Sequence, residues 1–154
     1  MPIPYLGSKR KSSDKIYQTI SYLNPKKGIL VDLFCGGFAI GEKFLTNGWD
    51  VIANDKNVYV VELLRKVTSP EGLPEIVTEF ISRDKFFDVL KNPDNYEYWY
   101  VGYVMCCWSF GNNQKYYLYG KAKEAIKKAG QNCLRGIQQF PYMEGRNRLS
   151  LHRE

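Results

Sequence analysis

Histidine is nearly missing from this sequence: one residue, His152, stands for the whole chain. Four cysteines, Cys35, Cys106, Cys107 and Cys133, show neither metal-ligand spacing nor the pairing of a disulfide framework. These two scarcities exclude a Cys/His zinc site, argue against a Cys-His nucleophile pair, and leave the cysteines to be read as reduced thiols. No apolar run reaches transmembrane length, and Met1-Pro2-Ile3-Pro4-Tyr5 lacks the apolar core of a signal peptide, so the expected location is the cytoplasm. No internal repeat or low-complexity tract appears. Two common phosphate cradles are also missing, the G-x-G-x-x-G turn and the G-x-x-x-x-G-K-[ST] loop.

What remains is a chain of 154 residues, enough for one domain or a core with a modest lobe, 44% hydrophobic and 25% charged as in globular proteins. The net charge of +6 favours an anionic partner such as nucleic acid. Aromatics make up 15% of the residues, with 12 tyrosines; they suit either a stacking surface for bases or packing at the edge of a helical lobe.

Pro2 and Pro4 forbid helix at the start, and Tyr5-Leu6-Gly7-Ser8-Lys9 comes next as a loop with small residues at its centre. A helix is predicted from Ser12 or Ser13 to Leu23, with Ser13 as a suitable cap, Ile16, Ile20 and Leu23 at helical spacing, and Asn24-Pro25 as its stop. The short apolar run Ile29 to Phe34, bounded by glycines, reads as a buried central strand of a parallel sheet. A helix carrying Phe38, Ile40, Phe44 and Leu45 ends at Asn47-Gly48. Trp49 to Asp55 is a second strand ending in an acid, and Asn57 to Val67 a helix stopped by Ser69-Pro70.

This βαβα unit predicts a Rossmann-like α/β core. Beyond residue 70, helices are predicted over Ile76 to Leu90 and Tyr96 to Trp108, joined by the turn Lys91-Asn92-Pro93-Asp94-Asn95. Ser109 to Lys115 is then a polar loop, and Tyr116 to Gly120 a short strand or hairpin arm. Lys121 to Ala129 reads as a basic helix and Asn132 to Gln139 as another. No third strand is evident, so this half reads as a mostly helical insertion. The expected division is residues 1–69 as a partial cofactor-binding core, 70–145 as a helical, DNA-recognising lobe, and 146–154 as the start of a helix returning to the core.

The turn after the first strand, Gly36-Gly37, offers backbone N–H groups at the start of a helix, a setting that favours negative or polar ligand groups. Its spacing to Gly41 does not match a pyrophosphate cradle, which points to a ligand held through an amino-acid moiety and a ribose. Asp55 lies 19 residues after Gly36, close to the roughly 20-residue offset at which an acid meets ribose hydroxyls. Asp32 reads as a cofactor residue or as a strand-end acid capping the turn. Lys9 reads as a cofactor or base contact or as one cation of the run Lys9-Arg10-Lys11.

On these motifs the chain resembles the adenine-specific (N6) DNA methyltransferases of the D12 class. Asp32-Leu33-Phe34-Cys35-Gly36-Gly37 is similar to their first motif, Tyr5-Leu6-Gly7-Ser8-Lys9 to the motif that precedes it, and Asn54-Asp55 to the acid after the second strand. Trp108-Ser109-Phe110-Gly111-Asn112 with Lys115 resembles the family's Phe-Asn-Gly segment, and Tyr119-Gly120-Lys121 its next string, Phe/Tyr-Gly-Lys. Arg148 to Arg153 resembles a helix leading into the next core strand. The resemblance implies S-adenosyl-L-methionine as cofactor, held by Tyr5, Gly7, Ser8, Lys9, Asp32, Phe34, Gly36, Gly37 and Asp55. It also implies double-stranded DNA as partner, contacted by Lys9, Asn112, Asn113, Lys115, Lys121 and Lys123.

Two departures stand out. Phe38 occupies the place of the first motif's second glycine, and the catalytic [DN]-P-P-[YFW] string does not occur. Asn92-Pro93-Asp94-Asn95-Tyr96 is the nearest string and reads as a turn between helices. No catalytic residue is therefore assigned. The expectation is the N-terminal half of a methyltransferase, inactive alone or completed by a missing C-terminal half, with a second polypeptide carrying the catalytic motif, or self-association, as the expected pairing. The alternative is a non-catalytic DNA-binding protein that keeps the fold.

Overall fold

The computed structural model describes residues 3–73, 80–124 and 149–152. Their elements alternate at first as predicted: helix α1 (Ser13–Leu23), strand β1 (Ile29–Asp32), helix α2 (Ala39–Thr46), strand β2 (Asp50–Asn54) and helix α3 (Val58–Thr68). Helices α4 (Arg83–Lys91) and α5 (Tyr98–Cys107) come next, and strand β3 (Leu149–His152) closes the described part. The result is a mixed α/β fold on a small parallel sheet in the order β1-β2-β3. No helix among the described residues is long and apolar enough to cross a membrane.

Local chemistry sets most boundaries. Asn57 caps α3, its Oδ1 accepting from the N–H groups of Tyr59 and Val60 at 3.2 and 3.4 Å. Ser82 caps α4 by accepting from Lys85 N–H at 3.2 Å. That cap places the start of α4 at Arg83 instead of the expected Ile76; Phe80 and Ile81 are not helical, and residues 74–79 lie outside the described residues. At α1 the expected cap Ser13 is the first helical residue, and its hydroxyl donates to Arg10 C=O at 3.0 Å. Pro93–Asn95 forms a single 3-10 turn between α4 and α5.

Two expectations are corrected. Leu149–His152, read as helix, forms a strand parallel to β2, with Leu149 and Leu151 in register with Val51 and Ala53. The alternation Leu-Ser-Leu-His has period two, which a strand satisfies and a helix does not. The first strand, read as buried and central, is the edge strand of the described sheet: Ile29 is 61% exposed and Val31 55%. Among the described residues, the sheet face carrying Val51 and Ala53 is the buried one, beneath a core that continues through Phe44, Val60, Leu64, Phe86, Val101 and Val104. The opposite face carries Ile29, Val31 and Ile52.

The helical half joins this same core. Helix α5 packs along α3 so closely that a Cβ on Gly102 would lie 2.2 Å from the carbonyl oxygen of Tyr59. Beyond α5, the arm expected at 116–120 makes an isolated antiparallel bridge, Ser109 to Tyr117. The basic helix is described for one turn, 121–124; the rest of it and the predicted helix at 132–139 lie outside the described residues.

Candidate functional site

The chain leaves β1 through a tight turn whose backbone is tied on three sides. Cys35 N–H donates to Asn54 C=O at 2.9 Å, Gly36 N–H to Asp55 Oδ2 at 2.8 Å, and Phe38 N–H to Cys35 C=O at 2.7 Å. The N-terminal segment docks on it, with Ile3 N–H donating to Gly37 C=O at 2.9 Å. Both glycines are required by that docking. A Cβ on Gly36, whose φ is +46°, would sit 3.0 Å from the Tyr5 ring, and one on Gly37 would sit 2.3 Å from Ile3 O.

Phe38 sits in the left-handed region at φ 65°, an unfavourable conformation for a bulky residue. Its ring is fully buried and lies against Gly41, where a Cβ would meet it at 2.1 Å. The aromatic at the expected glycine position thus points into the core, away from the cavity, and the small residue at Gly41 makes room for it.

Between the turn and the first loop lies a cavity of about 190 Å³ lined by Tyr5, Gly7, Ser8, Lys9, Phe34, Cys35, Gly36, Gly37, Ala39 and Ile40. Most of the residues assigned to the cofactor by sequence come together here. Gly7 has open space around it at φ +77°, and Phe34 is 85% exposed at the rim. Lys9 turns back on its own loop, donating to Gly7 C=O at 2.9 Å.

The two acids lie off the cavity wall. Asp55 is 7% exposed and holds the turn from below: one carboxylate oxygen accepts from Gly36 N–H and the other from Asn57 N–H at 3.0 Å. Asp32 is half-buried, and burial, aided by the negative charge of Asp55, pushes its carboxyl above the usual range, against backbone hydrogen bonds from Phe34 and Gly41. Its Oδ2 is buried and finds no hydrogen-bond partner among the described residues. An acceptor left in that state costs stability unless a ligand supplies a donor.

The thiols around the site are buried and held in their neutral form. Burial raises Cys35 and Cys106 to about 12 and Cys107 further, so all three are neutral near pH 7.

Gln114 was not singled out by the sequence. It sits at φ 63° in the loop after α5, its N–H donating to Ser109 Oγ at 3.0 Å. Its side chain turns inward, Oε1 accepting from Asn57 Nδ2 at 3.3 Å and Nε2 reaching Cys106 Sγ at 3.8 Å. A polar residue in a polar loop carries no local signal of such a role; the contact spans 57 positions.

Of the residues assigned to DNA, Lys9 lies at the cavity, while the others lie on the loop after α5 and the helical turn beyond it. Asn113 shapes the loop, its Oδ1 accepting from the N–H groups of Lys115 and Tyr116 at 2.9 and 3.0 Å. Asn112 adopts φ 58°, while Lys115, Phe110 and Tyr116 are exposed. Lys121 and Lys123 are exposed on the 121–124 turn, whose Glu124 accepts from Arg83 N–H at 2.8 Å and binds its guanidinium at 3.3 Å.

A family model described as D12 class N6 adenine-specific DNA methyltransferase matches residues 5–101, from Tyr5 through the glycine turn and Asp55 into α5. No curated protein and no solved structure matches the chain.

Proposed function

The chain belongs to the D12 class N6 adenine-specific DNA methyltransferase family, and from that premise we propose that it is the cofactor-binding half and DNA lobe of such an enzyme. On this reading it has a Rossmann-like core, binds S-adenosyl-L-methionine and double-stranded DNA in the cytoplasm, and takes part in methylating adenine at N6. The observation that carries the reading is the cavity itself. Within the matched span, Tyr5 to Lys9 form one wall and Phe34 to Gly37 the other.

The residues present fit the cofactor. Tyr5 and Phe34 offer aromatic faces to a purine, and the Oδ2 of Asp32, closed off behind the wall, would accept from a ligand donor such as an ammonium once the turn shifts to expose it. Asp55 would act from below, by fixing Gly36 against Tyr5. The bound cofactor supplies a methyl group on a positively charged sulfur, open to displacement. What this chain contributes is binding and orientation. Attack by the adenine amine requires groups that accept its N–H protons and hold the flipped base, the role of the Asp/Asn-Pro-Pro-aromatic string that these 154 residues do not contain.

That role would fall to a stretch of polypeptide, continuous with these residues or separate, that completes the sheet at β1. Parallel sheets are normally covered on both faces, yet Ile29 and Val31 are exposed on one face of this one. A strand added in parallel outside β1 would end beside Phe34, at the cavity rim. Calorimetry on the purified chain tests the reading: binding of S-adenosyl-L-methionine without methyl transfer to DNA is expected. Absence of binding at millimolar cofactor would overturn the cofactor assignment, and methyl transfer by the chain alone would overturn the need for completion. A second reading, a DNA-binding protein that keeps the fold without the chemistry, is favoured by the engagement of both Asp55 oxygens with the chain's own amides. It predicts DNA binding with no response to cofactor.

A further inference from the structure

We propose that Gln114 is a positioning residue that ties the loop after α5 to the glycine turn and so sets the affinity of the cavity for its cofactor. The inference rests on the cofactor reading above and goes beyond it by making a residue outside the cavity responsible for the cavity's shape.

An unbroken series of hydrogen bonds connects the two places. Gln114 Oε1 accepts from Asn57 Nδ2 at 3.3 Å, Asn57 N–H donates to Asp55 Oδ1 at 3.0 Å, and Asp55 Oδ2 accepts from Gly36 N–H at 2.8 Å. The Tyr5 ring packs over the same residue, where a Cβ on Gly36 would meet it at 3.0 Å. The series ends at Gly36, which lines the cavity. Gln114 is itself held rigidly, by Ser109 Oγ on its backbone and by Cys106 Sγ on its amide.

The arrangement has two ends of different chemistry. The outer face of the loop presents Phe110, Lys115 and Tyr116 to solvent, aromatic rings beside a cation as in surfaces that meet unpaired bases. Its inner end is Gln114. A ligand that settles on the outer face would bear on Gln114 and, through Asn57 and Asp55, on the turn. Linkage is reciprocal, so cofactor binding strengthens that outer contact by the same factor.

Two substitutions isolate the link. Gln114→Asn keeps an amide and a residue that tolerates the left-handed backbone but is one methylene too short to reach Asn57. Asn57→Ser keeps the cap of α3 and removes the amide donor. Each is expected to weaken binding of S-adenosyl-L-methionine by about fivefold or more. The double variant is expected to be no weaker than the worse single one, because the two changes break one connection. In parallel, the Gly36 amide signal in a nitrogen-proton correlation spectrum of the ligand-free protein is expected to shift and to exchange faster with solvent in both variants. Unchanged affinity with an unmoved Gly36 signal would overturn the proposal, as would strictly additive losses. If the wild-type chain binds no cofactor, the function proposed above fails, and the Gly36 signal alone decides the role of Gln114.

Discussion

Asp32 shows how a single side chain divides stability from binding. Its carboxyl is raised above the ordinary 3.8, chiefly because burial penalises the charge. A group whose folded value is raised contributes stability that is present below its unfolded value and is lost as pH rises through the folded value. At pH 7 the ionised form is therefore a cost to the fold, concentrated on an Oδ2 with no partner among the described residues. Asp32→Asn is expected to raise the urea midpoint at pH 7, with the gain fading as pH falls toward 3.8. The same change is expected to weaken cofactor binding about tenfold, the scale of a lost charge-assisted hydrogen bond. Equilibrium unfolding at several pH values, together with calorimetry, checks both signs. A lower midpoint at pH 7 would mean that Asp32 holds the turn and is not a ligand group.

Helix contacts set the next scale, and there Gly102 decides how α5 meets α3. With 2.2 Å between a hypothetical Cβ and the Tyr59 carbonyl oxygen, the opposing atom is backbone and cannot rotate away. Gly102→Ala is expected to destabilise the fold by about 1–3 kcal/mol, as overpacking of a close contact does. Thermal unfolding followed by circular dichroism would read this as a fall of several degrees, and an unchanged midpoint would show that the helices slide apart at little cost.

This scale also shows what the sequence discloses. The apolar spacing of Val60, Val61, Leu64 and Val67 makes α3 legible, and so do the acid-ended second strand and the glycine-flanked turn, because each signal lies within a few residues of what it describes. The Tyr5 to Lys9 loop and the Phe34 to Gly37 turn could be assigned to one site because both match motifs. Other features rest on partners far away. β3 becomes a strand by pairing with β2 across about a hundred residues, and β1 is an edge strand because of what lies beside it. The inward turn of Gln114 toward Asn57, and the engagement of Asp55 with Gly36 N–H, likewise arise only when the chain has folded.

For the molecule as a whole, the exposed side of the sheet is the feature that separates these readings of the protein. Ile29, Val31 and Leu33 are all more than half exposed, with Phe34 beside them. Contiguous apolar surface of this kind marks a place where another surface belongs, or where copies of the chain adhere to one another. Val31→Lys places a charge at the centre of that face without disturbing the buried one, and substitutions at exposed positions generally change stability by no more than about 0.5 kcal/mol. The variant is expected to bind less of a hydrophobic dye and to run closer to the monomer mass in light scattering, with its unfolding midpoint unchanged. If a second polypeptide completes the sheet at β1, the same lysine is also expected to block methylation reconstituted from the two pieces, while leaving cofactor binding to the cavity within a factor of two or so. A Val31→Lys chain that is reconstituted as readily as the wild type would place the completing surface somewhere other than β1.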